Sequence, residues 1–196
     1  YLVRYFDPNA QTAWYRPAQG LLFRIEYRLF GSNTLPYHLR NVLLHLGNCF
    51  WLWAIVYRVT RNRLMAFVAA LIFATLPTAA IAVFWPGVVD PMVTFFYLAA
   101  VWFWLAHLQS ERARDREAWL AFSAFLFALL SKEIGATLPI TLFLIDRFIA
   151  AKPASLGQLV RRYIWFGIVF LIYIPIEYIV TRRSVFVSRE GYSPGI

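Results

Sequence analysis

Between long apolar stretches, this chain keeps a few ionisable side chains suited to acting on a phosphorylated substrate. Lys132 and Glu133 are adjacent, with apolar runs on both sides. Beside hydrocarbon such residues are costly unless paired or solvated. A lysine there is a point charge for phosphate; an exposed hairpin tip would hold the same residues. Asp90 ends the segment Trp85-Pro86-Gly87-Val88-Val89-Asp90 and precedes Pro91. A carboxylate in that place caps the next helix; at a membrane surface it could also bind a cation or activate a hydroxyl. Arg16 is held extended by Pro17, aiming a guanidinium suited to bidentate phosphate contact. Asp7 is the only acid ahead of residue 16. It is a candidate general base, and the turn signal Asp7-Pro8-Asn9 accounts for it equally. Glu177, two residues after Pro175, is an acid within an apolar segment and a candidate on that ground, or a residue near the interface.

A second constellation is His38, Asn41, His45 and Asn48, at i, i+3, i+7 and i+10. At about 100° per residue these share one narrow helical stripe. Lipid cannot satisfy polar groups, so the stripe should face protein or a water-filled cavity as one wall of a polar site. The two histidines are too far apart to hold one metal without help from other segments. No glycine-rich phosphate loop, zinc spacing or hydrolase elbow is present.

The elements that must position these residues are membrane helices. The chain is 61% hydrophobic and 15% charged, against about 25% charge in soluble domains. Its net charge of +9 is assigned to loop arginines facing anionic lipid rather than to a nucleic-acid partner. Cys49, the single cysteine, reads as a small buried apolar residue.

Residues 1–16 read as a loop. Tyr15–Asn48 then begins with an amphipathic segment in which Leu21, Leu22, Ile25 and Leu29 share one face, with Arg24 and Arg28 opposite. That pattern suits an interfacial helix with its apolar face in acyl chains. Six apolar segments follow: Leu39–Tyr57, Leu64–Phe84, Met92–Leu108, Ala118–Leu130, Ile134–Ile145 and Tyr163–Thr181. The fourth and fifth fall short of the ~20 residues a span needs, so they form a tight hairpin or re-enter. The expected fold is an all-α, polytopic transmembrane bundle. Residues 1–196 are expected to form one membrane domain, the N-terminal part of a longer protein without its first membrane helix. Arginine-rich loops around Arg58–Arg63, Arg112–Arg116 and Arg147–Arg162 alternate onto one face, which the positive-inside rule makes cytoplasmic. Asp90, Lys132 and Glu133 then lie on the other face, with Arg16, Arg24, Arg28, Arg182, Arg183 and Arg189.

These residues together resemble the GT-C superfamily of membrane glycosyltransferases, nearest the transmembrane, tetratricopeptide-associated O-mannosyltransferases and their bacterial relatives. The resemblance runs from Tyr15-Arg16-Pro17 and Leu29-Phe30-Gly31 through Tyr37–His45 with Asn48 and Phe73-Ala74-Thr75-Leu76-Pro77. It continues through Trp85–Asp90 to Ser131-Lys132-Glu133 and Leu138-Pro139. The order is the family's; Val88-Val89 departs from its usual Arg-x before the aspartate.

The resemblance implies an inverting, multi-pass enzyme of the bacterial inner membrane or its equivalent. Such an enzyme moves a sugar from a polyprenyl- or dolichyl-phosphate carrier to a protein or glycan acceptor on the extracytoplasmic side. It implies catalytic acids at Asp7 and Asp90, and carrier-phosphate contacts at Arg16, His38, Asn41, His45, Lys132 and Glu133. A divalent cation could assist departure of the phosphate. A non-catalytic binder of lipid-linked glycans, or a structural membrane subunit, would carry the same cations without needing a base.

Overall fold

In the computed structural model of the chain, residues 16–77, 79, 84, 85, 87–109, 115–149 and 155–191 are described, with 115 and 181–191 by their backbone alone. Asp7, Arg182, Arg183 and Arg189, as side chains, lie outside that description. Among the described residues the structure is helical and contains no strand.

Helix α1 (Pro17–Phe30) opens on a proline whose missing N–H costs nothing at a helix start. It stops at Gly31, whose φ of 57° lies where a side chain would strain. The Gly31 N–H closes the end on the Tyr27 carbonyl at 2.9 Å, and the Tyr37 hydroxyl donates to the Gly31 carbonyl at 2.9 Å. These bonds turn the chain into α2 (Leu35–Thr60), about 39 Å long at 1.5 Å per residue. After Asn62, whose side chain caps the Met65 N–H at 3.1 Å, α3 (Arg63–Thr75) runs back. The apolar stretch Leu64–Phe84 is therefore not one continuous helix. Pro77 excludes Leu76 from helical conformation, and Leu76 is extended at φ −61°, ψ 128°.

Helix α4 (Asp90–Gln109) pairs with α5 (Asp115–Ser131). Alanines 99 and 100 of one and alanines 121, 124 and 128 of the other are buried there. Small residues let backbones approach closely, which is how helices associate in lipid. The chain reverses at Lys132, which is extended (φ −159°, ψ 145°), and enters a 3-10 turn, Glu133–Thr137. Gly135 lies on the end of α5, where a Cβ would meet the backbone of Ala128 and Leu129 at 2.6 Å. Helix α6 (Leu138–Phe148) continues away. Together the 3-10 turn and α6 cover about 26 Å, so the short fifth segment reaches nearly as far as α5.

Helix α7 (Leu156–Gly191) carries Pro175 inside it. Its Phe166 and Tyr173 pack with Trp104, Leu105, Phe125, Leu129, Leu138 and Leu142 into the core. Helix α2 meets α4 where the Phe95 ring lies against Gly47, 2.6 Å from where a Cβ would stand. Among the described residues three helices are long and apolar enough to cross a membrane: Leu35–Thr60, Asp90–Gln109 and Leu156–Val180.

Candidate functional site

The 3-10 turn after α5, the start of α4 and the start of α1 meet at one end of the bundle. There the Lys132 Nζ donates to Asp90 Oδ1 at 2.7 Å. Arg16 closes on the neighbouring Glu133 in a forked contact, Nε to Oε2 at 3.1 Å and Nη2 to Oε1 and Oε2 at 3.0 and 2.9 Å. Both pairs are partly open to solvent. Four charged groups from three separated stretches thus lie at one end of the bundle as two ion pairs. The extended backbone of Lys132 explains the division, since successive side chains then point to opposite sides.

Asp90 does not cap α4 as its place before proline suggests. It is the first helical residue, and the Val89 carbonyl accepts the first helical bonds, from Met92 and Val93. Freed from capping, its carboxylate is presented to Lys132. In this register Pro91 falls within the first turn, where its missing N–H is harmless.

The stripe on α2 faces the segment that leads to Asp90. Asn41 Nδ2 donates to the Trp85 carbonyl at 3.1 Å and Asn48 Nδ2 to the Pro91 carbonyl at 3.0 Å. His45 Nε2 lies 3.4 Å from the Ala74 carbonyl, and its ring stacks on Phe73 at 5.5 Å. His38 is half-buried, and its ring has no hydrogen bond among the described residues. Asn41 and Asn48 therefore hold carbonyls on either side of Asp90, and His45 lies against one at the end of α3.

Helix α1 divides its surface in a way that periodicity alone does not show. Leu21, Ile25 and Leu29 face outward, as expected of an interfacial helix, and so do Arg24 and Arg28. The inward face is Gln19, Phe23 and Glu26, residues that hydropathy had not marked as a set. Glu26 is 7% exposed and accepts from Arg40 Nη1 of α2. Burial raises its carboxyl pKa above the ordinary value, partly offset by Arg40. The available signal was an arginine inside an apolar helix with a single acid in the helix before it. Glu177 accepts from the Tyr173 hydroxyl at 3.1 Å, and Tyr173 lies within electrostatic reach of Arg16 and Glu133.

A divalent cation would find two carboxylates at this end among the described residues, Asp90 and Glu133. No group of three or more His, Cys, Asp or Glu side chains converges among those residues, and Asp90 and Glu133 each already face a cationic side chain.

Residues 16–179 match the family described as dolichyl-phosphate-mannose-protein mannosyltransferase. The protein O-mannosyl-transferase Tmtc3 of Drosophila melanogaster is 30% identical over 179 residues, covering 76% of this chain and 19% of that protein. Mouse TMTC1, also a protein O-mannosyl-transferase, is 35% identical over 141 residues, covering 63% of this chain and 14% of that protein. The human TMTC1 is 33% identical over 149 residues, covering 66% and 16%. The chain thus spans less than a fifth of the length of these relatives. No solved structure matches.

Proposed function

The chain belongs to the dolichyl-phosphate-mannose-protein mannosyltransferase family, and from that premise we propose that it is part of a membrane glycosyltransferase. It moves a sugar, mannose by kinship, from a polyprenyl- or dolichyl-phosphate carrier to a hydroxyl of a protein or glycan acceptor. The observation that carries this reading is the joining of Lys132 to Asp90 and of Arg16 to Glu133 at one end of the bundle. The site requires cations for a leaving phosphate beside a carboxylate for an incoming hydroxyl, and it has both.

In the proposed step Asp90, with Asp7 as the other candidate base, takes the acceptor's proton. The acceptor oxygen bonds to the anomeric carbon as the bond from that carbon to the phosphate oxygen breaks. One displacement inverts the anomeric centre. Lys132 and Arg16 turn from their carboxylates to the departing lipid phosphate. The opposite end of the bundle carries Arg58, Arg61, Arg63, Arg116, Arg147, Arg161 and Arg162. Under the positive-inside rule that end is cytoplasmic, which puts the two ion pairs on the extracytoplasmic side.

The test is transfer from a polyprenyl-phosphate sugar by the complete protein. Lys132→Ala and Asp90→Asn are each expected to lower the rate about 10²–10³-fold, the loss seen when one transition-state donor is removed, with insertion unchanged. Undiminished transfer in both variants would sink the site, while carrier binding without turnover in the parent protein would favour a non-catalytic glycan binder.

A further inference from the structure

We infer that Glu26 and Arg40 are positioning residues: their pair seats α1 on α2 and, through Asn41, sets the 85–90 turn that delivers Asp90 to Lys132. The Arg40 guanidinium is divided between two tasks. Nη1 holds Glu26 of α1, and Nε donates to Asn41 Oδ1 at 3.1 Å, while its carbon lies 5.0 Å from the centre of the Phe23 ring.

The second contact favours one facing of the Asn41 amide. An amide offers an acceptor on one side and donors on the other. With Oδ1 taken by Arg40, the amine must point at the Trp85 carbonyl, where it lies at 3.1 Å. Without Arg40, a turned amide would present oxygen to oxygen. Asn41 is 1% exposed, so water cannot compensate.

Helix α1 clasps the same turn directly, because Gln19 Nε2 lies 3.4 Å from the Gly87 carbonyl. Leu22, Phe23, Val88, Val89 and Met92 close around these groups, leaving about 10 Å³ of free space, no more than about one water molecule needs. Buried ion pairs add little net stability but can select one register. Here the register selected joins the interfacial helix to the turn holding Asp90. The catalytic consequence rests on the glycosyltransferase reading, whereas the placement of the turn does not.

Crosslinking in native membranes separates the two. In the full chain with Cys49→Ala, the variants Leu22→Cys and Val88→Cys put two thiols on the closed cleft between α1 and the turn. A short bifunctional thiol reagent should join them. Arg40→Ala and Glu26→Ala are each expected to cut the yield at least fivefold. Glu26→Gln keeps an oxygen for Arg40 Nη1 and should retain at least half.

A control pair, Arg58→Cys with Gln109→Cys, reports the opposite end, where these side chains are hydrogen-bonded at 2.9 Å. Its yield should hold steady. Unchanged yield at the cleft in both alanine variants would overturn the proposal. Equal loss at both ends would also do so, since the pair would then be a general folding determinant. In transfer assays the alanine variants should lose kcat about tenfold with donor KM within about twofold. Absence of transfer in every form, with crosslinking as expected, would count against the glycosyltransferase reading alone.

Discussion

At the end of the bundle that holds Asp90, ion pairs join residues 42 and 117 positions apart and stay partly open to solvent. At the other end Asp146 is 2% exposed and accepts from Arg162, 16 residues on, at both carboxylate oxygens, at 2.7 and 2.8 Å. The first arrangement can exchange partners, because water and a phosphate can reach the charges. The second cannot, because breaking it strands a carboxylate away from water. The opposite end also has a cleft of about 480 Å³ walled by Trp104, Trp119, Trp165 and Phe166 with Arg161 and Arg162. Its Arg162 belongs to the joint between α6 and α7. The proposed reading therefore places the reacting site by exchangeable charge and not by volume.

The contrast can be broken by substitution. Arg162→Ala should produce the largest effect, about 3–5 kcal/mol lost from stability, read as a lowered melting temperature in detergent. A small loss would erase the distinction between the ends. Lys132→Ala should do the reverse, leaving the melting temperature nearly unchanged while transfer falls about 10²–10³-fold. Arg16→Lys keeps the charge but not the fork on Glu133. About tenfold loss of transfer is expected, the worth of one charge-assisted hydrogen bond.

The smallest expected effect is a pH slope from Glu26. Its carboxyl holds a proton to higher pH folded than unfolded. The stability it contributes is therefore complete below the ordinary carboxylate value and is lost as pH rises through the raised one. Thermal melts of the parent and Glu26→Gln should differ in slope across that window. Identical slopes would mean that Glu26 is not buried as described.

Much of the helical order was legible. The hairpin at Lys132-Glu133 follows from two short apolar runs with charges between them, and the turn at Gly31 from the glycine that ends an amphipathic period. The nearness of Asp90 to Lys132 was legible only as a shared membrane face, reached by counting spans. Their 2.7 Å contact depends on how α4 packs on α5, which their alanines allow but do not announce. Glu26 escaped notice because its helix was judged by its leucines. Once α1 docks, its inward face is the one that can bond to α2 and the 85–90 turn. Asn41 and Asn48 were placed on the right stripe, yet their partners are backbone carbonyls, which every residue has and no pattern distinguishes.

The sequence by itself determined the helices, their approximate ends and the kinds of charge at each end of the bundle. Helix periodicity and proline or glycine breaks act over a few neighbouring residues. Tertiary structure alone decided that Asp90 faces Lys132 instead of capping its helix, that α1 buries its polar side, and that Arg40 orients Asn41. In a membrane, lipid-facing and protein-facing surfaces are both apolar, so hydropathy cannot say which faces meet. That choice belongs to close packing and to hydrogen bonds between residues distant in the chain.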